Sequence, residues 1–177
     1  MQGSLLLQSW ASLSSPAHSA LIESLLALPA EQLVKYGQSP TASRVFDAIL
    51  SSPCTTPKEL RALVLAFVGH YDKLADDRVG SRLAEHAFDR ADVFLKDKVA
   101  ASLAGQQLVL QSSAYGHFFA RKLDLPLWER RREDWKKKMR ERAAQSGSLA
   151  ISQKQEENKA SKKQTTKPTD EIDAIFS

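Results

Sequence analysis

Three short segments of the sequence carry polar or stacking side chains at positions i, i+1 and i+4. They are Ser43, Arg44 and Asp47; Ser81, Arg82 and Glu85; and His117, Phe118 and Arg121. Residues with this spacing share one face of a helix. A hydroxyl and a carboxylate one turn apart can hydrogen-bond the edge of an unpaired nucleobase, while a guanidinium or an aromatic ring stacks on its face. The segments therefore favour contact with single-stranded nucleic acid.

The regular interval at which these segments recur strengthens the interpretation that they bind nucleic acid. Ser4, Leu5 and Gln8 occupy the same places in a fourth segment, so the aligned first positions are 4, 43, 81 and 117, at intervals of 39, 38 and 36 residues. Such intervals are typical of solenoid repeats with two or three helices. A single polar triplet is common on surface helices, whereas one that returns at the repeat interval indicates a shared role.

Helical elements with clear start signals fill each interval. Every period is predicted to hold a short helix, the middle helix that carries the triplet, and a third helix with its own apolar stripe. Thr56, Pro57 and Glu59 have the residue types of a capping box at the start of one third helix. The short helices are expected at Leu33–Tyr36, Tyr71–Asp76 and Gln106–Gln111. With no alternating strand pattern, the chain is predicted to be all-α.

The first repeat starts inside its middle helix, at Gly3 and Ser4, without a preceding short helix. Stacked repeats bury their apolar faces only against their neighbours, so this first helix is expected to lack a covering element. We therefore expect that the sequence is a truncated piece of a longer repeat protein.

Residue groupings that catalysis or metal binding would need are missing from the sequence. None of the four histidines lies at metal-ligand spacing from another histidine or from Cys54, the one cysteine. Neither a glycine-rich phosphate loop nor a nucleophile elbow stands out. We expect no enzyme activity, no metal, no cofactor and no small-molecule substrate. No apolar run approaches the roughly 18 residues that span a bilayer, so no membrane partner is expected either.

The basic charge of the chain is concentrated after residue 127. Residues 128–177 hold 13 of the 25 lysines and arginines and 9 of the 21 acidic residues, whereas residues 1–127 hold twelve of each. A basic helix over 127–145 is predicted to cap the last repeat with Trp128, Trp135 and Met139 near one face. Its cations could contact nucleic-acid phosphate, act as a targeting signal or form a solvated helix face. They include Arg130, Arg131, Arg132, Lys136, Lys137 and Lys138.

The last segment, 146–177, is predicted to be disordered because residues 146–169 contain almost no large apolar side chains. Three apolar residues near the end, Ile172, Ile175 and Phe176, have helical spacing and could bind a groove on a partner or remain in a solvated tail.

Residues 39–50, 80–88 and 115–121 resemble Pumilio repeats, and more narrowly the C-terminal repeats of the nucleolar protein 9 family in its fungal form. The similarity extends over residues 1 to about 142, and its more specific runs are Ser43–Leu50 and Trp128–Trp135. It implies a right-handed α-solenoid with about three and a half three-helix repeats over residues 1–126, and a concave face that binds single-stranded RNA. It also implies a nucleolar protein that binds pre-ribosomal RNA during processing toward 18S rRNA.

The resemblance also implies a role for each member of the triplets. Base edges would be contacted by the pairs Ser43 and Asp47, Ser81 and Glu85, and His117 and Arg121. Arg44, Arg82 and Phe118 would stack on the bases. The Ser81 and Glu85 pair matches the combination for guanine, whereas Asp47 and the His117 and Arg121 pair match no standard combination.

A second reading of the same repeats is a protein–protein scaffold of a pre-ribosomal assembly, in which the triplets are merely solvated and the partners are assembly factors. Binding to single-stranded pre-ribosomal RNA would separate the two readings.

Overall fold

The computed structural model describes residues 2–13 and 16–145, and the regular secondary structure of these residues is helical throughout. The helices are α1 Gln2–Ala11, α2 Ala17–Leu26, α3 Ala30–Gln38, α4 Ser43–Ser51, α5 Pro57–Ala66, α6 Tyr71–Asp76, α7 Gly80–Arg90, α8 Val93–Ser102, α9 Gln107–Ser112, α10 Gly116–Leu123 and α11 Leu125–Arg130. Helical backbone also covers 132–145. The chain divides into two parts, Met1–Lys137 and Lys138–Ser177, and helices α1 to α11 belong to the first.

Equivalent helices of successive repeats pack against one another. The middle helices α1, α4, α7 and α10 contact each other in that order, as do the third helices α2, α5 and α8 and the short helices α3, α6 and α9. Repeat 1 thus contains α1 and α2, repeat 2 contains α3 to α5, repeat 3 contains α6 to α8, and α9 and α10 begin repeat 4. The predicted all-α class and the three-helix repeat are confirmed. We call the side formed by α1, α4, α7 and α10 the middle-helix face.

The core lies on the inner side of the middle helices, at the positions that the apolar spacing predicted. On α4 the buried residues are Val45, Phe46, Ile49 and Leu50, and on α7 they are Leu83, Ala84, Ala87 and Phe88. Because these residues recur every three or four positions, the opposite side of each helix carries the exposed members of the polar triplets, such as Arg44 and Arg82. The packing of the core therefore sets which way the triplets point.

A chain of aromatic rings runs through the core of three repeats. Ring centroids are separated by 5.6 Å between Phe46 and Phe67 and by 6.3 Å between Phe67 and Tyr71. The Tyr71 ring stacks on Phe119 at 5.9 Å, and Phe119 meets the edge of Phe88 at 5.7 Å. Such pairs contribute about 0.5–1.5 kcal/mol each beyond the area they bury. The rings thus join repeats 2, 3 and 4 into one core.

Side chains cap the N-termini of two third helices. The Glu59 backbone amide donates to Thr56 Oγ1 at 3.3 Å, and the Thr56 amide donates to Glu59 Oε2 at 2.8 Å, which confirms the predicted capping box of α5. At α8 the Asp92 carboxylate accepts from the Leu95 amide at 2.7 Å. These caps define where α5 and α8 begin.

Two features of the helices differ from the predictions. The short helix expected at Leu33–Tyr36 is part of the longer α3, and the one expected at Gln106–Gln111 is Gln107–Ser112. The single helix expected over 127–145 is wrong: Arg131 has φ −144° and ψ 71°, and this non-helical residue separates α11 from the helical backbone of 132–145.

The break at Arg131 lets two tryptophans reach different partners. Trp128 Nε1 donates to Asp97 Oδ1 on α8 at 2.7 Å. Trp135 is fully buried, and its Nε1 donates to the Leu123 carbonyl at 2.6 Å. One straight helix would hold both indoles along the same side, about 10 Å apart along its axis.

The predictions for the tail at 146–177, including the motif around Ile175, lie outside the described residues.

Candidate nucleic-acid interface

Two neighbouring clefts lie between successive middle helices. The first, of about 260 Å³, separates α1 from α4 and is lined by Ser4, Leu5, Gln8, Pro40, Thr41 and Arg44. The second, of about 370 Å³, separates α4 from α7 and is lined by Pro40, Ser43, Arg44, Asp47, Arg78, Val79 and Arg82. Arg44 and Pro40 border both clefts. The exposed Arg44 guanidinium therefore stands between two adjacent spaces, as a group that stacks between successive bases must.

The serines of the triplets lie deeper than the arginines beside them. Ser43 and Ser81 are 5% and 7% exposed, whereas Arg44 and Arg82 are exposed. The Ser81 hydroxyl donates to the carbonyl of Arg78 at 3.3 Å, within its own turn. The structure thus brings Ser43, Arg44, Asp47 and Arg82 to one cleft, with arginines at the opening and Ser43 at the floor.

The carboxylate of each central triplet is paired with a side chain of the next middle helix. Asp47 Oδ1 accepts from His86 Nδ1 at 3.0 Å. In the same register one repeat later, Glu85 Oε2 accepts from Lys122 Nζ at 3.4 Å, and Lys122 also contacts Asp89. Counted from the first residue of each triplet, the acid is the fifth residue of its own segment, and its partner is the sixth residue of the segment in the following repeat. Sequence reasoning missed this pairing, although its recurrence at the repeat interval was visible.

In repeat 4 the triplet is arranged around two aromatic rings. His117 Nδ1 donates to the Ser113 carbonyl at 3.1 Å, and the His117 ring lies 3.8 Å from that of Phe118, centroid to centroid. Phe118 remains 54% exposed, and Arg121 is exposed beside it on α10. A half-exposed ring held by a neighbouring imidazole offers a flat surface on which a base can stack.

The turn before each later middle helix is built in the same way. A side-chain oxygen at the start of the turn accepts backbone amides two or three residues on: Ser39 from Ala42, Asp77 from Val79 and Gly80, and Ser113 from Tyr115 and Gly116. These Asx-type and Ser-type turns fix the chain immediately before the triplet. The residue after the cap lines a cleft in two of these turns, as Pro40 before α4 and Arg78 before α7. Sequence reasoning missed Arg78.

The basic residues beyond α10 have diverse surroundings. Arg132 donates to both carboxylate oxygens of Asp97, at 2.8 and 2.7 Å, and its guanidinium lies over the Trp128 ring. The hydrogen bond from Arg132 is the largest cause that lowers the pKa of Asp97, and the Trp128 bond lowers it further. Arg132 is thus part of the packing between α8 and the residues after α11.

The remaining cations of this segment divide into paired and more open groups. Lys136 pairs with Glu133 at 2.7 Å, and Arg131 lies 3.8 Å from Asp134. Arg130 and Lys137 are exposed, and Lys138, in the second part of the chain, is half-buried. Arg130 and Arg131 line a shallow cleft of about 320 Å³ with Pro126 and Leu127, separate from the two clefts of the middle-helix face.

Two kinds of site are absent from residues 2–13 and 16–145. Within these ranges no three His, Cys, Asp or Glu side chains come together as metal ligands. The same ranges contain no helix that is long and apolar enough to cross a bilayer. Cys54 is a free thiol of intermediate exposure.

Known proteins share both the sequence and the fold of this chain. Nucleolar protein 9 of Mus musculus is 39% identical over 133 residues, which is 75% of this chain and 21% of that protein. Nucleolar protein 9 of Neosartorya fischeri is 34% identical over 140 residues, which is 78% of this chain and 20% of that protein. The chain therefore spans about a fifth of the length of these curated relatives.

A solved structure of APUM23 with GGAUUUGACGG superposes with a TM-score of 0.66 at 29% identity, over 77% of this chain and 26% of that one. APUM23 with GGAGUUGACGG gives 0.67 at 28% identity, over 80% of this chain and 26% of that one. The sequence profile of the NOP9-like PUF repeat domain matches residues 1–118. Because this match covers more than half of the residues and the helices repeat as described, the chain belongs to the NOP9-like PUF repeat family.

Proposed function

We propose that this chain binds single-stranded RNA along the middle-helix face, as part of a nucleolar protein that acts on pre-ribosomal RNA during processing toward 18S rRNA. It is a binding protein and not an enzyme. The observation that carries the proposal is the pair of adjacent clefts that share Arg44. The names of the relatives support the nucleolar location, and the RNA in the APUM23 structures supports the ligand class.

In this proposal each cleft receives one base and the exposed groups between clefts stack on it. Arg44 lies between the first two bases, Arg82 follows on α7, and Phe118 follows on α10. A guanidinium or a ring in this position recognises the π-face that all bases share, so stacking contributes affinity with little sequence preference. Base edges would be read by Ser43 with Asp47, Ser81 with Glu85, and His117 with Arg121.

The carboxylates of the two central triplets already have hydrogen-bond partners. Asp47 is held by His86 and Glu85 by Lys122, so a base edge must share or displace that partner. Ser81 already donates within its turn, which leaves its oxygen as an acceptor. We therefore propose that stacking contributes more than edge recognition, and that base preference is weak at α4 and α7.

Electrostatic attraction is also concentrated on this face. Residues 1–127 have no net charge, yet three of their arginines, Arg44, Arg78 and Arg82, line one cleft. Neutralising RNA phosphates with such cations supplies much of the affinity of RNA-binding proteins. Among the cations beyond α10, we propose that the exposed Arg130 and Lys137 contact phosphate or act in nucleolar targeting, whereas Arg132 supports the packing. Contacts with assembly factors are a further proposal.

The test removes the three stacking groups together. The variant Arg44→Ala, Arg82→Ala, Phe118→Ala is expected to bind fluorescein-labelled GGAUUUGACGG, and a single-stranded pre-ribosomal RNA, about tenfold or more weakly than the parent chain. Fluorescence anisotropy at physiological salt measures the change.

A matched control removes two cations and one ring from the third helices. Arg61, Lys98 and Phe94 are exposed, and both cations lie over the Phe94 ring, at 4.8 and 5.6 Å. Their triple alanine variant should keep the affinity for RNA. If the stacking variant binds as well as this control, the middle-helix face is not the RNA site, and the protein scaffold becomes the better reading of the repeats.

A further inference from the structure

We infer that Arg78 binds a phosphodiester of the RNA backbone at the cleft between α4 and α7. The inference rests on the proposed function and goes further. The proposed function concerns contacts with the bases, whereas this inference names a contact with the RNA backbone. Arg78 is outside the i, i+1, i+4 triplets. It belongs to the turn between α6 and α7, and its exposed side chain lines the cleft together with Arg44 and Arg82.

The charges of this cleft are out of balance. Three guanidiniums and one carboxylate line it, and that carboxylate, Asp47, is paired with His86 Nδ1 at 3.0 Å. Within the described ranges, neither Arg44 nor Arg78 nor Arg82 forms an ion pair with a carboxylate. A neutral base would leave this cationic excess uncompensated, whereas a phosphodiester brings one negative charge and acceptor oxygens.

Guanidinium is suited to this ligand because its planar set of N–H donors matches two oxygens of one phosphate. Arg44 and Arg82 stand on α4 and α7 in the stacking positions, whereas Arg78 reaches the same cleft from the turn before α7. Arg78 is therefore the cation available to the sugar–phosphate chain of a base inserted in the cleft. The role of Arg78 therefore differs from that of its two neighbours.

The turn holds the backbone of Arg78 in place on both sides. Asp77 Oδ1 accepts from the amides of Val79 and Gly80, both at 2.8 Å, and the Ser81 hydroxyl donates to the Arg78 carbonyl. Gly80 leaves no room for a side chain, because a Cβ there would lie 2.6 Å from the Leu74 carbonyl oxygen. A fixed backbone lowers the entropy lost when Arg78 binds its ligand.

Among the three turns that precede α4, α7 and α10, a cation follows the cap only in the turn before α7. The residue after the turn cap is Pro40 before α4, Arg78 before α7 and Ala114 before α10. Of the three turns compared, the turn before α7 is thus the one whose side chain after the cap can bind a phosphate. Such a contact would fix the register of the RNA on the middle-helix face at one linkage.

The experiment compares the salt dependence of RNA binding for the full 177-residue chain and its variants. For single-stranded RNA, each neutralised phosphate contributes a slope of about −0.7 to the logarithm of affinity against the logarithm of salt concentration. Arg78→Gln is expected to make the slope about 0.7 less steep with labelled GGAUUUGACGG. Arg78→Lys, which keeps the charge, should retain the slope. Arg90→Gln removes an exposed arginine from the end of α7, away from the cleft, and is the matched control.

A second measurement locates the contact. The same RNA is prepared with one uncharged methylphosphonate linkage at a time. One linkage is expected at which neutralisation weakens binding of the parent chain but has no further effect on Arg78→Gln. Circular dichroism melting of the variants verifies that their fold is intact.

Each outcome bears on the inference. An unchanged slope for Arg78→Gln, a slope lost equally in Arg78→Lys, or the absence of a linkage masked by the variant overturns it, and leaves the proposed function standing if the parent chain binds RNA. If the parent chain does not bind RNA at all, the proposed function and this inference are both overturned.

Discussion

His86 on α7 donates a hydrogen bond from Nδ1 to Oδ1 of Asp47 on α4, 39 residues earlier in the chain and 3.0 Å away. The same two positions of the next repeat bring Lys122 to Glu85. Neighbouring middle helices are thus joined not only by their apolar cores but also by a polar contact at the edge of the clefts. The contact orients a carboxylate that the triplet pattern assigned to base recognition.

The contact between His86 and Asp47 is expected to stabilise the fold only weakly, because the two side chains are 30% and 46% exposed. A double-mutant cycle with Asp47→Ala and His86→Ala should give a coupling energy of about 0.2–1 kcal/mol in urea unfolding. The control cycle combines Asp47→Ala with Arg90→Ala, which lies on the same helix as His86. A coupling no larger than in the control would contradict the contact.

Alanine in place of Gly80 is expected to cost about 1–3 kcal/mol, because the added Cβ meets the backbone oxygen of Leu74 and neither atom can move freely. Gly3→Ala is the control: nothing lies within 4 Å of a Cβ at Gly3 in α1, so a gain of at most about 1 kcal/mol is expected. Chemical denaturation measures both. Equal effects of the two substitutions would contradict the close approach at Gly80.

Removal of the Trp135 indole N–H is expected to destabilise the chain. In Trp135→Phe the buried Leu123 carbonyl loses its 2.6 Å hydrogen bond and the smaller ring leaves a void, at a cost of about 1–3 kcal/mol. The control is Trp10→Phe, at an indole that is 49% exposed, which should change the free energy of unfolding by less than about 0.5 kcal/mol. Guanidinium unfolding followed by circular dichroism distinguishes the two.

The free energy of unfolding is expected to depend on the ionisation of Asp97 at acid pH. Its pKa is lowered in the folded chain, chiefly by Arg132, so the stability that its ionised form contributes is present above the unfolded pKa of about 3.9. That stability is lost as the pH falls through the lower, folded pKa. Asp97→Asn should therefore be less stable than the parent near neutral pH, and this difference should shrink below about pH 4.

The control for this measurement is Asp134→Asn, at an exposed carboxylate 3.8 Å from Arg131. It should alter the acid limb of the unfolding curve much less than Asp97→Asn does, because exposed ion pairs contribute little. A difference between Asp97→Asn and the parent chain that stays constant down to about pH 3 would show that Asp97 gains nothing from its charge in the folded state.

Local patterns were sufficient to predict much of the fold. The apolar spacing on α4 and α7 placed residues such as Phe46 and Phe88 in the core, and the capping box at Thr56 marked the start of α5. Both signals depend on residues within one or two helical turns, so a single sequence contains them. The repeat interval then ordered the helices, because equivalent helices must pack on each other.

Contacts between repeats were not predictable in the same way. Whether Asp47 faces His86 or a base depends on how α4 and α7 lie side by side. The place of Arg78 depends on how the turn before α7 lies beside α4, and the break at Arg131 depends on where Trp128 and Trp135 find partners. Two of these contacts, His86 with Asp47 and Trp128 with Asp97, join residues more than 30 apart in the chain.

The ring chain from Phe46 to Phe88 determines how the repeats come apart. Tyr71 stacks on Phe119, so loosening α10 removes a neighbour from α6 and, through Phe88, from α7. Helices linked in this way should open together in native-state hydrogen exchange, as one cooperative block and not by fraying one repeat at a time from the end. Amides of α6, α7 and α10 would then exchange at a common rate, with α1 opening more readily.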